Sequence, residues 1–507
     1  MSKYYDGYTD AFMEGQPGRA TLARDMGVLG LTATGVCAMV GAGINIIPFM
    51  IQRNVPGIGP YVLPAFVLAA LPAVLAGLAY AILASAMPRA GGSYVYASRA
   101  LSPYLGFVAS FSQWFALCIA IGVVSYVLVP FVRDIAVAAH WHTAAAALET
   151  NSLRLAISLG VLWAAVAANL RGIAFYQRLV VPLMFLTFAL GGVVIVAGFW
   201  FGAGDFAAAL MSREGRGIPD LPDSFEPWPF VSASAVLFAS FIGFDAIAQA
   251  GGEARNPGRN LPLAIALAVG SVALFYLSFT AAVYHAVPWQ YVADEATRRD
   301  VTAPGLLGYL LAPFWTVVIV SAAAVALAKD LPAMLLATSR LMFAWAEDGI
   351  FPRIVAAVHP RHRTPHVAVV ASGVMATLGV LGSHLAGDFF LGVDILVTAM
   401  LVNFLLMAVS VLTLPRRNPA LARAISVLPN AVQRVPLAVL AVVVIGSFLV
   451  VHAIKDLTAP AAAWYFRSTW LWAIMMGAGT IIYWREVTAL ESAGVDWRAR
   501  IAALPPE

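Results

Sequence analysis

Charged residues are scarce in this sequence. Asp, Glu, Lys and Arg together make up only 11% of its 507 residues, whereas an ordinary soluble domain has about 25%. Hydrophobic residues make up 61%, and the mean hydropathy is +0.84. A soluble core cannot hold so much apolar surface, so the composition excludes an ordinary soluble protein and indicates a chain whose main partner is the lipid bilayer.

Cysteine is scarcer still. Cys37 and Cys118 are the only two, and both lie in apolar stretches, which excludes a disulfide framework and any Cys/His metal spacing. We expect both to be small core residues. The glycines around Gly41 lack the strand and later acid of a dinucleotide site, and no nucleophile elbow is present. The sequence therefore predicts no cofactor, no metal and no enzymatic activity.

Apolar runs long enough to cross a membrane, about 20 residues each, recur along the whole chain. The polar, mixed-charge start does not resemble a cleaved leader, so we expect residues 1–26 to form a cytoplasmic tail. Hydropathy predicts an all-α membrane protein of about twelve transmembrane helices, near 27–51, 61–87, 104–132, 153–170, 179–202, 230–252, 263–285, 307–345, 366–385, 389–414, 436–454 and 468–484.

The basic residues are unevenly distributed among the loops. If both termini are cytoplasmic, most of the 30 Lys and Arg residues lie on the cytoplasmic side, as the positive-inside rule requires. We therefore predict a multi-pass protein of the inner membrane with both termini inside. A nucleic-acid surface is excluded, because the charges are spread over many short loops.

Glycine and proline interrupt the first predicted span at Gly41, Gly43 and Pro48. Unpaired backbone groups are tolerated in hydrocarbon only where they face protein or a wet cavity, and transporters build midplane binding sites from such broken helices. The alternative is a face of small residues for close helix packing.

The sixth span shows the same kind of interruption, at Phe238, Ser240, Phe241 and the residues 243–245. Two interrupted spans five helices apart predict a five-plus-five inverted repeat. The predicted units are a first repeat at 27–202, a second at 230–414, two further spans at 436–484 and a cytoplasmic tail at 485–507.

Several motifs together resemble the amino acid-polyamine-organocation superfamily over roughly residues 27–420, and are most similar to bacterial amino-acid permeases related to cationic amino-acid transporters. The segments that carry this resemblance are 41–44, 88–96, 241–245, 253–257, 259–262, 339–340 and 346–352.

The resemblance implies a leucine-transporter-type fold, in which unwound parts of helices one and six hold an amino acid during alternating access. Half-helix N-termini suit a carboxylate, and half-helix carbonyls suit an ammonium. The implied substrate-binding residues are Gly41, Ala42, Gly43, Ile44 and Asn45 near the carboxylate, then Phe241, Gly243 and Phe244 as carbonyls and an aromatic wall, and Asp245, which either binds or braces helix six.

This chain departs from the family pattern at three positions. Asn45 replaces a usual aromatic residue, the acidic pair after helix six is reduced to Glu253, and Thr187 stands where some bacterial members carry a lysine. Charges inside the membrane are usually functional. We therefore predict that Lys329, with Asp330 beside it, performs the coupling role of that lysine, the alternative being a purely structural pair.

The predicted function is a secondary transporter for an amino acid or related amine, working by proton coupling or exchange, as a monomer or homodimer. The alternatives are a polyamine or organic amine transporter, and a channel or substrate-sensing receptor on the same fold. A channel would be expected to show a filter repeat or a polar ring, and a receptor an added soluble domain. The sequence shows neither feature.

Overall fold

The computed structural model describes residues 22–41, 43–139, 141–386, 389–459, 464 and 467–505. Within these ranges every regular element is a helix, and β-pairing is limited to isolated bridges from Met26 to Ala254 and from Ala90 to Ala250. The predicted site residue Ala42 lies outside the described residues. The predicted all-α class is confirmed.

The helices are α1 Val28–Met39, α2 Gly43–Asn54, α3 Val62–Ala86, α4 Gly92–Ala100, α5 Pro103–Ala138, α6 His142–Leu148, α7 Asn151–Leu170, α8 Ile173–Trp200, α9 Ala203–Glu214, α10 Pro227–Leu237 and α11 Asp245–Gln249. They continue with α12 Pro257–Ala286, α13 Trp289–Arg298, α14 Ala303–Leu307, α15 Pro313–Glu347, α16 His366–Ala386, α17 Phe389–Arg417, α18 Pro419–Ala422, α19 Ala431–Thr458, α20 Ser468–Ser492 and α21 Trp497–Ala502. Short 3-10 turns cover Gly59–Tyr61, Phe238–Phe241, Gly251–Glu253 and Arg353–Ala356.

Eleven helical segments in the described ranges are long and apolar enough to cross a membrane, and they coincide with the first eleven predicted spans. The twelfth predicted span falls on α20, which is 25 residues long but is not among those eleven.

The fifth span begins at Ile173, earlier than predicted. Its start is set by Gly172, whose φ of 101° favours glycine and ends the preceding turn.

Both predicted interruptions are present. In the first span, α1 ends at Met39 and α2 begins at Gly43. In the sixth, a 3-10 turn is followed by the extended residue Ile242 and by Gly243, whose φ is 135°. A β-carbon on Gly243 would lie 2.4 Å from the Ala38 carbonyl oxygen, so the two broken segments touch through their backbones.

The long helix α5 lies at the centre of the fold. It packs against α15, α16 and α17, while α1 packs against α8, α12 and α15. These contacts enclose the two interruptions between α5, α15 and α17. Backbone that has lost its helical hydrogen bonds is thus surrounded by protein, which is the condition for tolerating it within a membrane.

Candidate substrate site

A cavity of about 80 Å³ lies at the two helix interruptions. Because one buried water needs roughly 10–15 Å³ of such volume, the cavity has room for about five to eight water-sized groups. Its lining comes from the broken helices and from α5, α15 and α17, and consists of Ala38, Met39, Gly41, Gly43, Ile47, Ala120, Val123, Val124, Ala239, Ser240, Ile242, Asp330, Met334, Gly392, Val393 and Leu396.

The ends of α1 and α2 present opposite backbone groups near this cavity. The first N–H groups of a helix have no partner within it and carry a partial positive charge, so α2, which begins at Gly43, offers donors to a carboxylate. Some of the last carbonyls of α1 already accept hydrogen bonds from side chains of other helices. The Met39 oxygen accepts a hydrogen bond from the Tyr276 hydroxyl.

Lys329 on α15 reaches the carbonyl end of α1. Its buried ammonium donates to the oxygens of Val40 and of Cys37, the latter at 3.3 Å, and lies 3.5 Å from Asp330 Oδ1. An ammonium that satisfies freed carbonyls offsets part of its own cost in the membrane. The structure therefore brings together Lys329, Asp330 and the interruption of the first span.

Thr187 is not part of this group. Its hydroxyl donates to the Leu183 oxygen of its own helix at 2.8 Å. The α8 residue that contacts α1 here is Val180, whose oxygen accepts from Cys37 Sγ at 3.4 Å, about two helical turns before Thr187.

Among the described residues that line the cavity, Asp330 is the only ionisable one. Its carboxylate lies directly against Gly41, where a β-carbon would fall 1.7 Å from Oδ2. Oδ1 accepts no hydrogen bond from the described residues. Its one charged neighbour among the described residues is the Lys329 ammonium at 3.5 Å, so this buried oxygen can still accept a hydrogen bond from a group that enters the cavity.

The aromatic residues of the sixth span do not line the cavity, in contrast to the predicted aromatic wall. Phe241 packs against Phe66 and Tyr276, with centroid distances of 5.2 and 5.7 Å, and Phe244 stacks on Phe404 at 5.1 Å. The 3-10 turn and extended Ile242 change the direction in which successive side chains point. Ser240 and Ile242 line the cavity instead.

Ser240 is a polar lining residue that the sequence prediction did not include among the site residues. Its hydroxyl has no hydrogen-bond partner among the described residues. A serine within a continuous helix usually bonds to a carbonyl one turn earlier, as Ser234 does to Phe230. At the interruption this option is lost, so the hydroxyl stays available.

Asp245 anchors the second half of the broken sixth span. It begins α11 and accepts a hydrogen bond from Gln113 Nε2 on α5. Gln113 Oε1 in turn accepts from Ser93, Gln249 and Asn403 at 2.7, 3.2 and 3.3 Å. These buried side chains join α11 to α4, α5 and α17, so Asp245 braces helix six and does not line the cavity.

The remaining predicted residues lie near the site without lining it. Ile44 and Asn45 occupy the first turn of α2 and are buried. Glu253 is farther along the chain, where it accepts two hydrogen bonds from Arg340, at 2.6 and 3.1 Å. Its backbone oxygen accepts from Met26 N at 2.9 Å.

Glu253 belongs to a closed end of the molecule, which we call the terminal end because residues 22–27 and 497–505 pack there. A second buried ion pair, Arg99 with Asp348 at 2.6 Å, lies near the same end. Arg99 Nε also donates to the Ala503 oxygen at 3.1 Å. Two buried ion pairs and the segments 22–27 and 497–505 are thus packed together at this end.

A second space lies toward the opposite end, where α2 and α5 end. A wider space of about 390 Å³, which we call the vestibule, shares the lining residue Val123 with the central cavity. Its walls are Ile46, Met50, Arg53, Val123, Tyr126, Val127, Pro130, Phe131, Arg133, Asp134, Arg154, Asp300, Thr302 and Ser383. The arrangement is a small central cavity with a wider space next to it, and Val123 lines both.

Residues 26–479 match the model of the amino acid permease family. The chain belongs to this family. The permease is similar to the branched-chain amino acid permease of Bacillus subtilis, with 27% identity over 80% of this chain and 84% of that protein. It is also similar to the methylthioribose transporter of the same organism, with 23% identity over 91% and 93% of the two chains. Human cationic amino acid transporter 4 is 26% identical over 70% of this chain and 54% of its own length.

Family membership and the apolar helices establish a multi-pass membrane protein of a transporter family. The resemblance to the amino acid-polyamine-organocation superfamily is confirmed. The cavity at the two helix interruptions fits a secondary transporter, because transporters of this kind build their substrate sites from interrupted helices near the middle of the membrane.

Proposed function

We propose that this permease moves a small amino acid with an apolar side chain across the inner membrane by alternating access. The observation that carries the proposal is the cavity between the two interrupted helices. The N–H groups at the start of α2 suit the substrate's carboxylate, while the Ser240 hydroxyl and the Asp330 carboxylate suit its ammonium. The name of the branched-chain relative supports the same substrate class.

The walls of the cavity favour an apolar side chain. Opposite the helix breaks, α5 and α17 contribute Ala120, Val123, Val393 and Leu396, and an apolar pocket accepts a methyl or isopropyl group while disfavouring an unpaired charge. A polyamine is the weaker candidate, because its several ammonium groups would find one lining carboxylate, Asp330.

We assign the coupling role to Lys329 and Asp330. A substrate ammonium beside Asp330 competes with Lys329 for the same carboxylate, so binding removes part of the stabilisation of the charged lysine. The α1 carbonyls of Cys37 and Val40 remain as acceptors for the Lys329 ammonium. Occupancy of the cavity would therefore change the contacts of Lys329 and Asp330, and through them link substrate movement to a proton.

The proposed orientation places both chain termini in the cytoplasm, so the terminal end faces inward and the vestibule outward. The Lys and Arg distribution supports this orientation. Movement of the proposed repeats, 27–202 and 230–414, would open the terminal end. Thiol labelling of Arg361→Cys in intact cells tests the orientation: we expect labelling only after permeabilisation, and labelling of unbroken cells would reverse it.

Uptake by the purified permease in liposomes tests the substrate class. We expect saturable uptake of radiolabelled alanine, valine or leucine and little uptake of arginine or putrescine. Gly43→Leu should abolish uptake while keeping the thermal melting profile, because its side chain would point toward Ile47 and Ser240 and fill the cavity. Accumulation of putrescine in preference to all three neutral amino acids would contradict the proposal.

A pH gradient across the same liposomes tests the coupling role. We expect the parent to concentrate substrate when the gradient is imposed and Lys329→Met to equilibrate it without concentrating it. Lys455→Met is the matched control, because Lys455 also lies in a spanning helix 3.5 Å from a carboxylate, Asp394. If Lys329→Met responds to the gradient as the parent does, the pair with Asp330 is structural only.

A further inference from the structure

We propose that the vestibule contains a second binding site, centred on Arg154, which receives the carboxylate of the substrate before it enters the central cavity. This inference rests on the proposed function for the identity of the ligand, although the site itself is defined by its own geometry. Neither the family motifs nor the central cavity involve Arg154.

Arg154 differs from the other arginines of the vestibule in lacking an acidic partner. Arg53 pairs with Asp300 at 2.9 Å, and Arg133 pairs with Asp134 at 2.7 Å. Among the described residues, Arg154 forms no ion pair, and its Nε is buried without a hydrogen-bond partner. Arg154 lies in the first turn of α7, at the end of a spanning helix, so a guanidinium without a carboxylate there leaves room for an anion from outside the chain.

The guanidinium of Arg154 is held in place by an aromatic ring. Its Cζ lies 3.8 Å from the ring centroid of Tyr126, and the Tyr126 hydroxyl lies 3.2 Å from Nδ1 of His384. Stacking on a ring uses the flat face of a guanidinium and leaves its N–H edge for the bidentate binding that carboxylates favour. The side chain is therefore ordered before a ligand arrives.

The position of Tyr126 links this site to the central cavity. Tyr126 lies three residues beyond Val123 on α5, a rise of about 4.5 Å along the helix, and Val123 lines both spaces. A solute whose carboxylate rests on Arg154 therefore lies at the entrance of the path to the helix breaks. The vestibule as a whole has three arginines against two aspartates, a balance that attracts anionic groups.

The same geometry limits the chemistry of the ligand. The apolar walls contributed by Met50, Val127 and Phe131 surround the charged groups, so a carboxylate carried on a short apolar chain fits better than a strongly hydrated inorganic anion. Propionate has this chemistry and lacks the ammonium that the central cavity is proposed to need. It is therefore a suitable probe for the vestibule alone.

The test uses the full-length permease in liposomes and compares Arg154→Gln with Arg133→Gln, which removes a paired arginine from the same vestibule. We expect Arg154→Gln to raise KM for the amino acid about tenfold at low salt with little change in kcat. Arg154→Lys, which keeps the positive charge, should have a KM between those of Arg154→Gln and the parent. Arg133→Gln should change KM less than twofold. At high salt the KM of Arg154→Gln should come closer to that of the parent, because salt screens the charge of the arginine.

Propionate gives a readout that a structural role for Arg154 would not affect. We expect propionate to raise the melting temperature of the purified parent and to compete with uptake, and to do neither in Arg154→Gln when that variant melts as the parent does. Equal effects of propionate on parent and variant, or an unchanged KM in the variant, would overturn the proposal. Propionate stabilisation is measured without transport, so a parent that moves no amino acid would contradict the proposed function and leave this test intact.

Discussion

The two ends of the permease are built from the same kinds of charged residue but in opposite surroundings. At the terminal end, Arg340 and Glu253 are 1% and 0% exposed, whereas at the vestibule Arg53 and Asp300 are 43% and 79% exposed. Breaking a buried pair costs about 3–5 kcal/mol, and an exposed pair contributes about 0–1 kcal/mol. One end is therefore held closed by contacts that are costly to break, while the other can change its contacts cheaply.

The largest expected effect comes from Glu253→Gln, which leaves the buried guanidinium of Arg340 without its counter-charge. We expect a loss of stability of about 3–5 kcal/mol, seen as a markedly lower melting temperature in detergent. The double variant Glu253→Gln with Arg340→Met should recover much of the lost stability, because it leaves no buried charge unpaired. A single variant that melts like the parent would mean that this pair does not hold the terminal end closed.

An intermediate effect is expected at the centre, where the two interrupted helices touch. In Gly243→Ala the new methyl group would meet the Ala38 oxygen, and alanine disfavours the φ of 135°. Strain of this kind should lower the stability of the variant by about 1–3 kcal/mol. Uptake by the variant should also be lower than uptake by the parent. Gly270→Ala is the control, because nothing lies within 4 Å of its β-carbon. Equal melting of the two variants would contradict a tight contact at Gly243.

The smallest effect is expected at the vestibule. Asp300→Asn removes the exposed partner of Arg53 and should lower stability by less than about 1 kcal/mol, with no measurable change in melting temperature. Its comparison with Glu253→Gln in the same detergent sharpens the contrast between the two ends. A loss at Asp300 as large as that at Glu253 would show that the vestibule is as firmly held as the terminal end.

The sequence predicted the helix interruptions because glycine and proline are conspicuous inside long apolar runs. It also singled out Lys329 and Asp330, since charges inside a membrane are costly and usually functional. These features depend on residue types whose cost in hydrocarbon is high. Their positions can be read along the chain without knowledge of which helices are neighbours.

The rest of the site could not be read in this way. Ala120 and Val393 face the cavity, but apolar residues that face a cavity look the same in sequence as those that face lipid. The turn of Phe241 and Phe244 away from the cavity follows from the backbone at Ile242, which no residue type signals. Arg154 lies at the start of the predicted span 153–170, and its lack of an ion-pair partner among the described residues is visible only in the structure.

The contact between Gly41 and Asp330 has a consequence for the evolution of this family. The Asp330 carboxylate occupies the space where a β-carbon of residue 41 would stand, so the two positions share one volume. A relative that acquires alanine at the position of Gly41 must shorten or redirect the residue at the position of Asp330. These positions are far apart along the chain, and substitutions at them should appear together across relatives, with the order of change constrained so that the smaller side chain is established first.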